Sequence, residues 1–133
     1  MPSFSNRSLR RLADCHPDLQ RLFQRVVLHR DCTIVVGFRN RDAQEEAFEA
    51  GLSKERWPDS KHNKFPSEAV DACAYPIDWN NTARNYYFAG LVMGVAAEMG
   101  IKIRCGADWD GDGNPRNQSL HDPGHFEIVK EDA

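Results

Sequence analysis

Two histidines and two aspartates of this 133-residue chain have the residue types and the spacing of a catalytic zinc site: His62 and Asp71, then Asp122 and His125. Catalytic zinc ions are typically held by three His, Asp or Glu side chains, which leaves a fourth position open for water. The metal lowers the pKa of that water from about 15.7 to about 7. A nearby carboxylate completes such a site by accepting the proton and later donating it. We therefore predict a small zinc-dependent hydrolase, and in particular a peptidase.

Asp71 interrupts a run over residues 69–75 that is otherwise apolar and has the composition of a strand. A buried carboxylate is costly unless it is paired or bound to a metal, so we interpret Asp71 as a ligand. The alternatives are an aspartate on a solvent face and a pair with an arginine.

His125 and Glu127 alternate with apolar residues, so they share one face of the last predicted strand. That face could equally be an exposed one.

The elements that must position these residues are short helices and strands. We predict helices over 5–14, from Pro17 onwards, over 42–50 and over 82–99, and strands over 33–38, 69–75, 101–105 and 124–129. The segments 53–68 and 106–121 are polar and read as loops. The pattern predicts an α+β fold, a single domain over 1–133 with helices packed on one small, largely antiparallel sheet.

The composition excludes several classes of protein. Hydrophobic content of 41%, charged content of 28% and a net charge of −3 are those of an ordinary globular domain, and they give no support for a nucleic-acid partner. The four cysteines form no CxxC pair, so we expect free thiols and a reducing compartment. No signal peptide and no membrane-spanning stretch is found in the sequence, which predicts synthesis in the cytoplasm without membrane insertion.

The motifs together resemble those of a known family. Ser60-Lys61-His62, Asp71 and the segment Asp122-Pro123-Gly124-His125 are similar to the D-alanyl-D-alanine carboxypeptidase family of zinc peptidases, and most of all to its phage endolysins, which are L-alanyl-D-glutamate peptidases. The resemblance implies the hedgehog/D-Ala-D-Ala-peptidase-like fold. It also implies one zinc ion held by His62, Asp71 and His125, with a zinc-bound water as the nucleophile and Asp122 as general base.

The resemblance extends to residues around the zinc ligands. Gly37-Phe38-Arg39 resembles the segment whose arginine faces the oxyanion, and the segment ending at Trp109 resembles the border of the cleft. Glu127 would hydrogen-bond a ligand histidine, while Ser60 would either do the same for His62 or cap the loop. The chain has a longer His-to-Asp interval than the tighter form of the motif. Its aspartate at 122, in place of a glutamate, favours the endolysin branch.

Two further features leave alternatives open. Asp108, Asp110 and Asp112 match the opening of an EF-hand loop, but Ser119 stands where the bidentate glutamate is required, so only a weak calcium site of another type is possible. His16, His29 and His121 are expected at the surface, and His121 is the substitute if one ligand is wrong.

The expected function follows from the resemblance. We predict a monomeric peptidase that cleaves the L-Ala-D-Glu bond of the peptidoglycan stem peptide, with no separate wall-binding domain. It would be made in the host cytoplasm and would reach the periplasmic wall after the membrane is permeabilised. The alternatives are a D-Ala-D-Ala carboxypeptidase of the same fold and a non-catalytic zinc-containing binding module.

Overall fold

The computed structural model describes residues 2–117 and 122–130 of the chain. Its helices and strands are α1 (Asn6–Ala13), α2 (Pro17–His29), β1 (Cys32–Val36), α3 (Arg41–Glu49), β2 (Ala69–Ala74), α4 (Thr82–Met99), β3 (Ile103–Gly106) and β4 (Asp122–Ile128). The strands form one antiparallel sheet in the order β1-β2-β4-β3. The predicted α+β architecture is confirmed, with element ends displaced by a few residues.

The helices begin and end where local chemistry predicts. Helix α2 begins at Pro17, whose missing N–H costs little in a first turn, and the His16 ring accepts a hydrogen bond from the backbone of that turn. Asn81 caps α4 by accepting from the Arg84 backbone N–H at 3.1 Å. Gly100 ends α4 with a φ of 71°, a conformation that glycine adopts without strain.

The hydrophobic core lies between one face of the sheet and the helices α2 and α4. Phe126 of β4 is fully buried there, with its ring centroid 5.6 Å from that of Phe23 in α2 and 6.4 Å from that of Phe88 in α4. Both pairs meet edge to face, a favourable arrangement of aromatic rings. Because side chains alternate along a strand, the residues next to these core positions point to the opposite face.

Helix α1 covers the outer edge of β1. The Ser8 hydroxyl accepts from the Ile34 backbone N–H at 3.0 Å, and the Arg11 guanidinium donates to the Ile34 carbonyl at 3.0 Å. These two side chains satisfy backbone groups that an edge strand otherwise leaves open. The close approach of α1 continues to Gly37, just beyond the strand, where a Cβ atom would overlap the Arg11 carbonyl oxygen.

The four cysteines are free and buried. Burial raises the pKa of the Cys15 and Cys32 thiols to about 12, so these side chains act as small core residues. Within the described ranges, no helix combines the length and the apolar character that crossing a bilayer requires.

We predict that Gly37→Ala destabilises the protein by about 1–3 kcal/mol, because the added methyl group meets rigid backbone of α1. The same change at Gly94, in the exposed interior of α4 with no atom near the new Cβ, should stabilise by about 0.5–1 kcal/mol. Urea denaturation of both variants measures the two effects. Equal stability of the two variants would contradict the close packing at Gly37.

Candidate metal centre

The sheet register brings two of the predicted site residues together. Asp71 of β2 lies directly opposite His125 of β4, and both side chains point away from the core. Glu127 follows on the same face of β4. Opposed residues of an antiparallel pair have neighbouring Cβ atoms, so side chains 54 positions apart in sequence become contacts.

His62 reaches the same point from a loop. It lies in a short 3₁₀ turn, Lys61–Asn63, with its side chain only 3% exposed. Its backbone carbonyl accepts from the Arg39 backbone N–H at 2.8 Å, and its ring Nδ1 lies 2.7 Å from the Gly37 carbonyl oxygen. The segment that follows β1 therefore sets both the position and the rotation of this imidazole.

Asp71 holds the two imidazoles through one oxygen atom. Its Oδ1 lies 3.1 Å from Nε2 of His62 and 3.0 Å from Nδ1 of His125. The possible ligand atoms of the three side chains all lie within 4.8 Å of one another. Two imidazole nitrogens and a carboxylate oxygen at this separation could hold a metal ion, and catalytic zinc sites typically use donors of these types.

All four ring nitrogens of the two histidines face hydrogen-bond acceptors. The nitrogen of His62 that does not face Asp71 faces the Gly37 carbonyl oxygen. The corresponding nitrogen of His125 lies 2.9 Å from the Glu127 carboxylate. A neutral imidazole has one N–H and one lone pair, so each neutral ring would direct its lone pair at a carbonyl or carboxylate oxygen. The cluster is satisfied by two extra protons or by one divalent cation between the rings and Asp71.

The charges of the cluster shift the pKa values in the directions this geometry requires. Burial would raise the pKa of Asp71, but hydrogen bonds from His125 and His62 hold it well below its usual range. Burial would lower the pKa of His125, whereas Asp71 and Glu127 raise it to about 9. The pKa of Glu127 falls to about 2, because contacts with His125 and neighbouring cations outweigh its burial.

Arg39 and Asp122 border the same cleft, which has a volume of about 450 Å³. The Arg39 guanidinium lies 3.6 Å from Oδ2 of Asp71, with 15% of its side chain exposed. Asp122 is the first residue of β4, three positions before His125. Burial, followed by the negative charge of Asp71, raises the pKa of Asp122. A carboxylate with a raised pKa is better suited to accept a proton near neutral pH.

Trp109 forms one wall of this cleft. Its ring centroid lies 5.4 Å from that of His125, and the Arg104 guanidinium lies 5.9 Å from the indole ring. The structure places Trp109 at the cleft, and its contact with a substrate stays a prediction.

Ser60 does not meet the His62 ring. Its hydroxyl accepts from the His62 backbone N–H at 3.2 Å and caps the 3₁₀ turn, while the Ser60 backbone N–H donates to the Asn63 side chain at 3.1 Å. Of the two roles considered for Ser60, the geometry in the structure is that of the loop cap. The acceptor for the ring is the Gly37 carbonyl, because the turn directs Nδ1 towards the end of β1.

Two cations that orient Glu127 were not predicted. The Nζ atom of Lys61 lies 3.1 Å from Oε2 of Glu127, and the guanidinium of Arg104 lies 2.8 Å from the same oxygen. Oε1 of Glu127 is left for His125. The sequence indicated the role of these two residues only weakly: Lys61 precedes His62 in the motif, and Arg104 alternates with core residues of β3. Their pairing with Glu127 depends on tertiary contacts.

Gln44 was also missed, although it is fully buried in α3. Its Nε2 donates to the Ser53 hydroxyl at 2.9 Å and to the Glu55 carbonyl at 2.7 Å. Its Oε1 accepts from Asn63 at 3.0 Å and from Arg39 at 3.4 Å. Gln44 thus connects the turn that carries His62 to the arginine beside Asp71.

The aspartate loop brings Asp108, Asp110 and Asp112 together, with carboxylate oxygens within 4.8 Å of one another. Its backbone turns are closed by the Gly113 N–H donating to Asp108 and the Asn114 N–H donating to Asp112, both at 2.8 Å. A weak calcium site here stays a hypothesis. Ser119 and His121 lie outside the described residues.

Comparisons with known proteins agree with the predicted family. The profile of the family described as phage L-alanyl-D-glutamate peptidase matches residues 2–129. The L-alanyl-D-glutamate peptidase of Escherichia phage T5 is 31% identical over 134 aligned positions, which cover 95% of this chain and 97% of the phage T5 protein. The crystal structure of the L-Ala D-Glu endopeptidase ChiX of Serratia marcescens superposes with a TM-score of 0.75 and 26% identity, covering 96% of this chain and 90% of ChiX.

We predict that Gln44→Leu lowers the free energy of unfolding by about 2–3 kcal/mol, since the apolar side chain leaves buried polar partners unsatisfied. Gln24→Leu, at an exposed position of α2, should change it by no more than about 0.5 kcal/mol. Guanidinium denaturation compares the two. A Gln44 variant as stable as its control would show that these hydrogen bonds contribute nothing net.

Proposed function

Because the chain belongs to the family of phage L-alanyl-D-glutamate peptidases, we propose that it hydrolyses the L-alanyl-D-glutamate bond of the peptidoglycan stem peptide with one zinc ion. His62, Asp71 and His125 would hold the ion, through Nε2, a carboxylate oxygen and Nδ1. The observation that carries the zinc proposal is the set of four imidazole nitrogens that all face acceptors. One divalent cation satisfies this arrangement with both rings neutral.

When bound, the zinc ion polarises the scissile carbonyl and makes a water molecule acidic enough to ionise near neutral pH. The protein's own groups keep the ligands in place. The Gly37 carbonyl accepts from Nδ1 of His62, and Glu127 accepts from Nε2 of His125. Such contacts determine which nitrogen of each imidazole is left for the metal, and they raise its basicity.

Asp122 is the proposed general base. Its carboxylate takes the proton of the attacking water while the new C–O bond forms at the alanyl carbonyl carbon. The same carboxyl group then donates that proton to the nitrogen of D-glutamate as the C–N bond breaks. Its raised pKa, caused by burial and by Asp71, suits a group that accepts and then returns a proton.

Arg39 is the proposed partner of the oxyanion. Its guanidinium borders the cleft next to Asp71, and Gln44 and the backbone contact with His62 hold its segment in place. A positive group already oriented towards developing negative charge needs no rearrangement during the reaction. The T5 protein is named an L-alanyl-D-glutamate peptidase and ChiX an L-Ala D-Glu endopeptidase, which favours this activity over a D-Ala-D-Ala carboxypeptidase.

The purified protein should contain one zinc ion per chain and should release peptidoglycan fragments with new D-glutamyl amino termini. A chelator should abolish the release, and added zinc should restore it, because the water loses its activating metal. Elemental analysis and mass spectrometry of the fragments measure both quantities. Full activity in metal-free protein would contradict the zinc proposal, and release of D-alanine alone would favour the carboxypeptidase.

Two variants separate metal binding from proton transfer. His62→Ala should lose both zinc and activity, because one of three ligands is removed. Asp122→Asn should keep the zinc but lose about 10²–10⁴-fold in kcat, the usual contribution of a general base. An Asp122→Asn variant with unchanged kcat would exclude Asp122 as the base.

Arg39→Met should lower kcat by about 10²–10³-fold with the zinc content unchanged, by analogy with the removal of one oxyanion donor. Arg41→Met is the matched control, because Arg41 is exposed at the start of α3. Steady-state kinetics on a soluble stem peptide measures both variants. If the two substitutions had the same small effect on kcat, Arg39 would contribute only to the surface charge and not to the reaction.

A further inference from the structure

A second groove adjoins the metal cleft, and Asp122 lines both. It has a volume of about 730 Å³ and lies between the start of α4, the 3₁₀ turn Pro115–Asn117 and the first residues of β4. Its other lining residues include Trp79, Thr82, Asn85, Tyr86 and Arg116. The two grooves therefore form a continuous surface on either side of the proposed general base.

Trp79 presents a large aromatic surface to this groove. It is 55% exposed, which is unusual for an indole outside a binding surface. Gly124 of β4 lies beneath it, since a Cβ there would come within 3.5 Å of the indole ring. The Asn85 amide donates to the carbonyls of Asp78 and Trp79 at 3.2 and 3.5 Å. These hydrogen bonds fix the backbone that carries the exposed ring, and Gly124 leaves room for the ring to lie against β4.

Asn85 also supplies an unused acceptor. It is only 7% exposed, and its Oδ1 accepts no hydrogen bond from the described residues. The two carbonyls facing Nδ2 define the orientation of the amide, so the oxygen is the atom left over. A buried acceptor without a donor is unfavourable, and the Asn85 amide is one of the polar groups that line the groove.

The charges of the two grooves differ. The metal cleft is bordered by four cations, Arg39, Lys54, Lys61 and Arg104, and by the carboxylates of Glu55, Asp59, Asp71, Asp122 and Glu127. Two of these cations contact Glu127, whereas Lys54 is exposed at the rim. The Trp79 groove has Arg116 as its one lining cation and Asp122 as its one lining carboxylate among the described residues, and its other walls are aromatic, amide, hydroxyl and apolar groups. Walls of this kind suit a neutral ligand with hydroxyl and amide groups.

We propose that the Trp79 groove binds the N-acetylated amino sugar that precedes L-alanine in the substrate, a step that rests on the proposed function. In peptidoglycan the alanine nitrogen is joined to the lactyl group of that sugar, so this side of the scissile bond is uncharged carbohydrate. The other side carries the free carboxylate of D-glutamate and meets the metal cleft, whose rim carries the exposed Lys54. Sugar C–H groups pack on the electron-rich face of the Trp79 indole, and the polar groups of the sugar lie along the Thr82 and Asn85 side chains that line the groove.

The test compares two soluble substrates that differ only in the acyl group on the alanine nitrogen: N-acetylmuramoyl-L-alanyl-D-glutamate, which carries the sugar, and N-acetyl-L-alanyl-D-glutamate, which does not. Wild-type protein should cleave the first with the higher kcat/KM. Trp79→Ala should lower kcat/KM by about five- to tenfold on the sugar-bearing substrate and less than about twofold on the other, as expected for one lost aromatic contact. Trp79→Phe should retain most of the preference, since it keeps an aromatic face.

Two controls keep the result specific. Tyr87→Ala removes a tyrosine that is 80% exposed on α4 and does not line the groove, so both substrates should be unaffected. Thermal unfolding of each variant identifies any loss of folded protein. Equal losses on both substrates in Trp79→Ala, or no preference in the wild type, would overturn the sugar site.

Binding of N-acetylmuramoyl-L-alanine, measured by calorimetry, separates this proposal from the proposed function. Binding that weakens in Trp79→Ala supports the sugar site even if the wild type cleaves neither substrate, a result that would overturn only the peptidase proposal. Cleavage of both substrates without any binding of this compound would overturn the sugar site and leave the peptidase proposal standing.

Discussion

One oxygen atom of Asp71, held between two imidazoles, is the contact on which the rest of the site depends. The outer nitrogens of the rings face the Gly37 carbonyl and the Glu127 carboxylate, so in either tautomer a neutral ring directs its lone pair at an acceptor oxygen. Added positive charge relieves this arrangement. Without a metal, a proton on His125 supplies part of that charge, in agreement with the raised pKa of His125. With the proposed zinc ion, the cation takes the place of that proton, and metal affinity is linked to pH.

The sheet separates this charged cluster from the core. Side chains of β2 and β4 alternate between a face packed by α2 and α4 and a face that carries Asp71, His125 and Glu127. A shift of one residue in the pairing would bury these charges and expose Phe126, which makes the register energetically well defined. Core packing and site geometry thus depend on the same strand pairing, so a substitution at the close contact of Gly37 with α1 affects both stability and the position of His62.

Polar side chains from several elements support the cluster. Gln44 of α3 connects Arg39 to the turn of His62, while Lys61 and Arg104 orient Glu127. In the proposed mechanism these residues touch no reacting atom, yet they decide where ligands and charges point. Asp122 stands between the metal cleft and the groove of Trp79. Proton transfer and recognition of the sugar side of the substrate would then take place on one surface.

The order of helices and strands, the α+β class, the family and the residue types at the site were predicted from sequence alone. These features depend on local periodicity, on capping residues such as Asn81 and Gly100, and on short motifs around His62 and His125. The cap formed by Ser60 was one of two alternatives that the sequence left open. The contact of the His62 ring with Gly37 and the hydrogen bonds of Gln44 were not predicted. They join residues from separate elements, and their geometry depends on strand register and on how the loop before β2 packs against the end of β1. A sequence specifies which groups can bind a metal, whereas only tertiary packing decides which nitrogen of each imidazole remains for it.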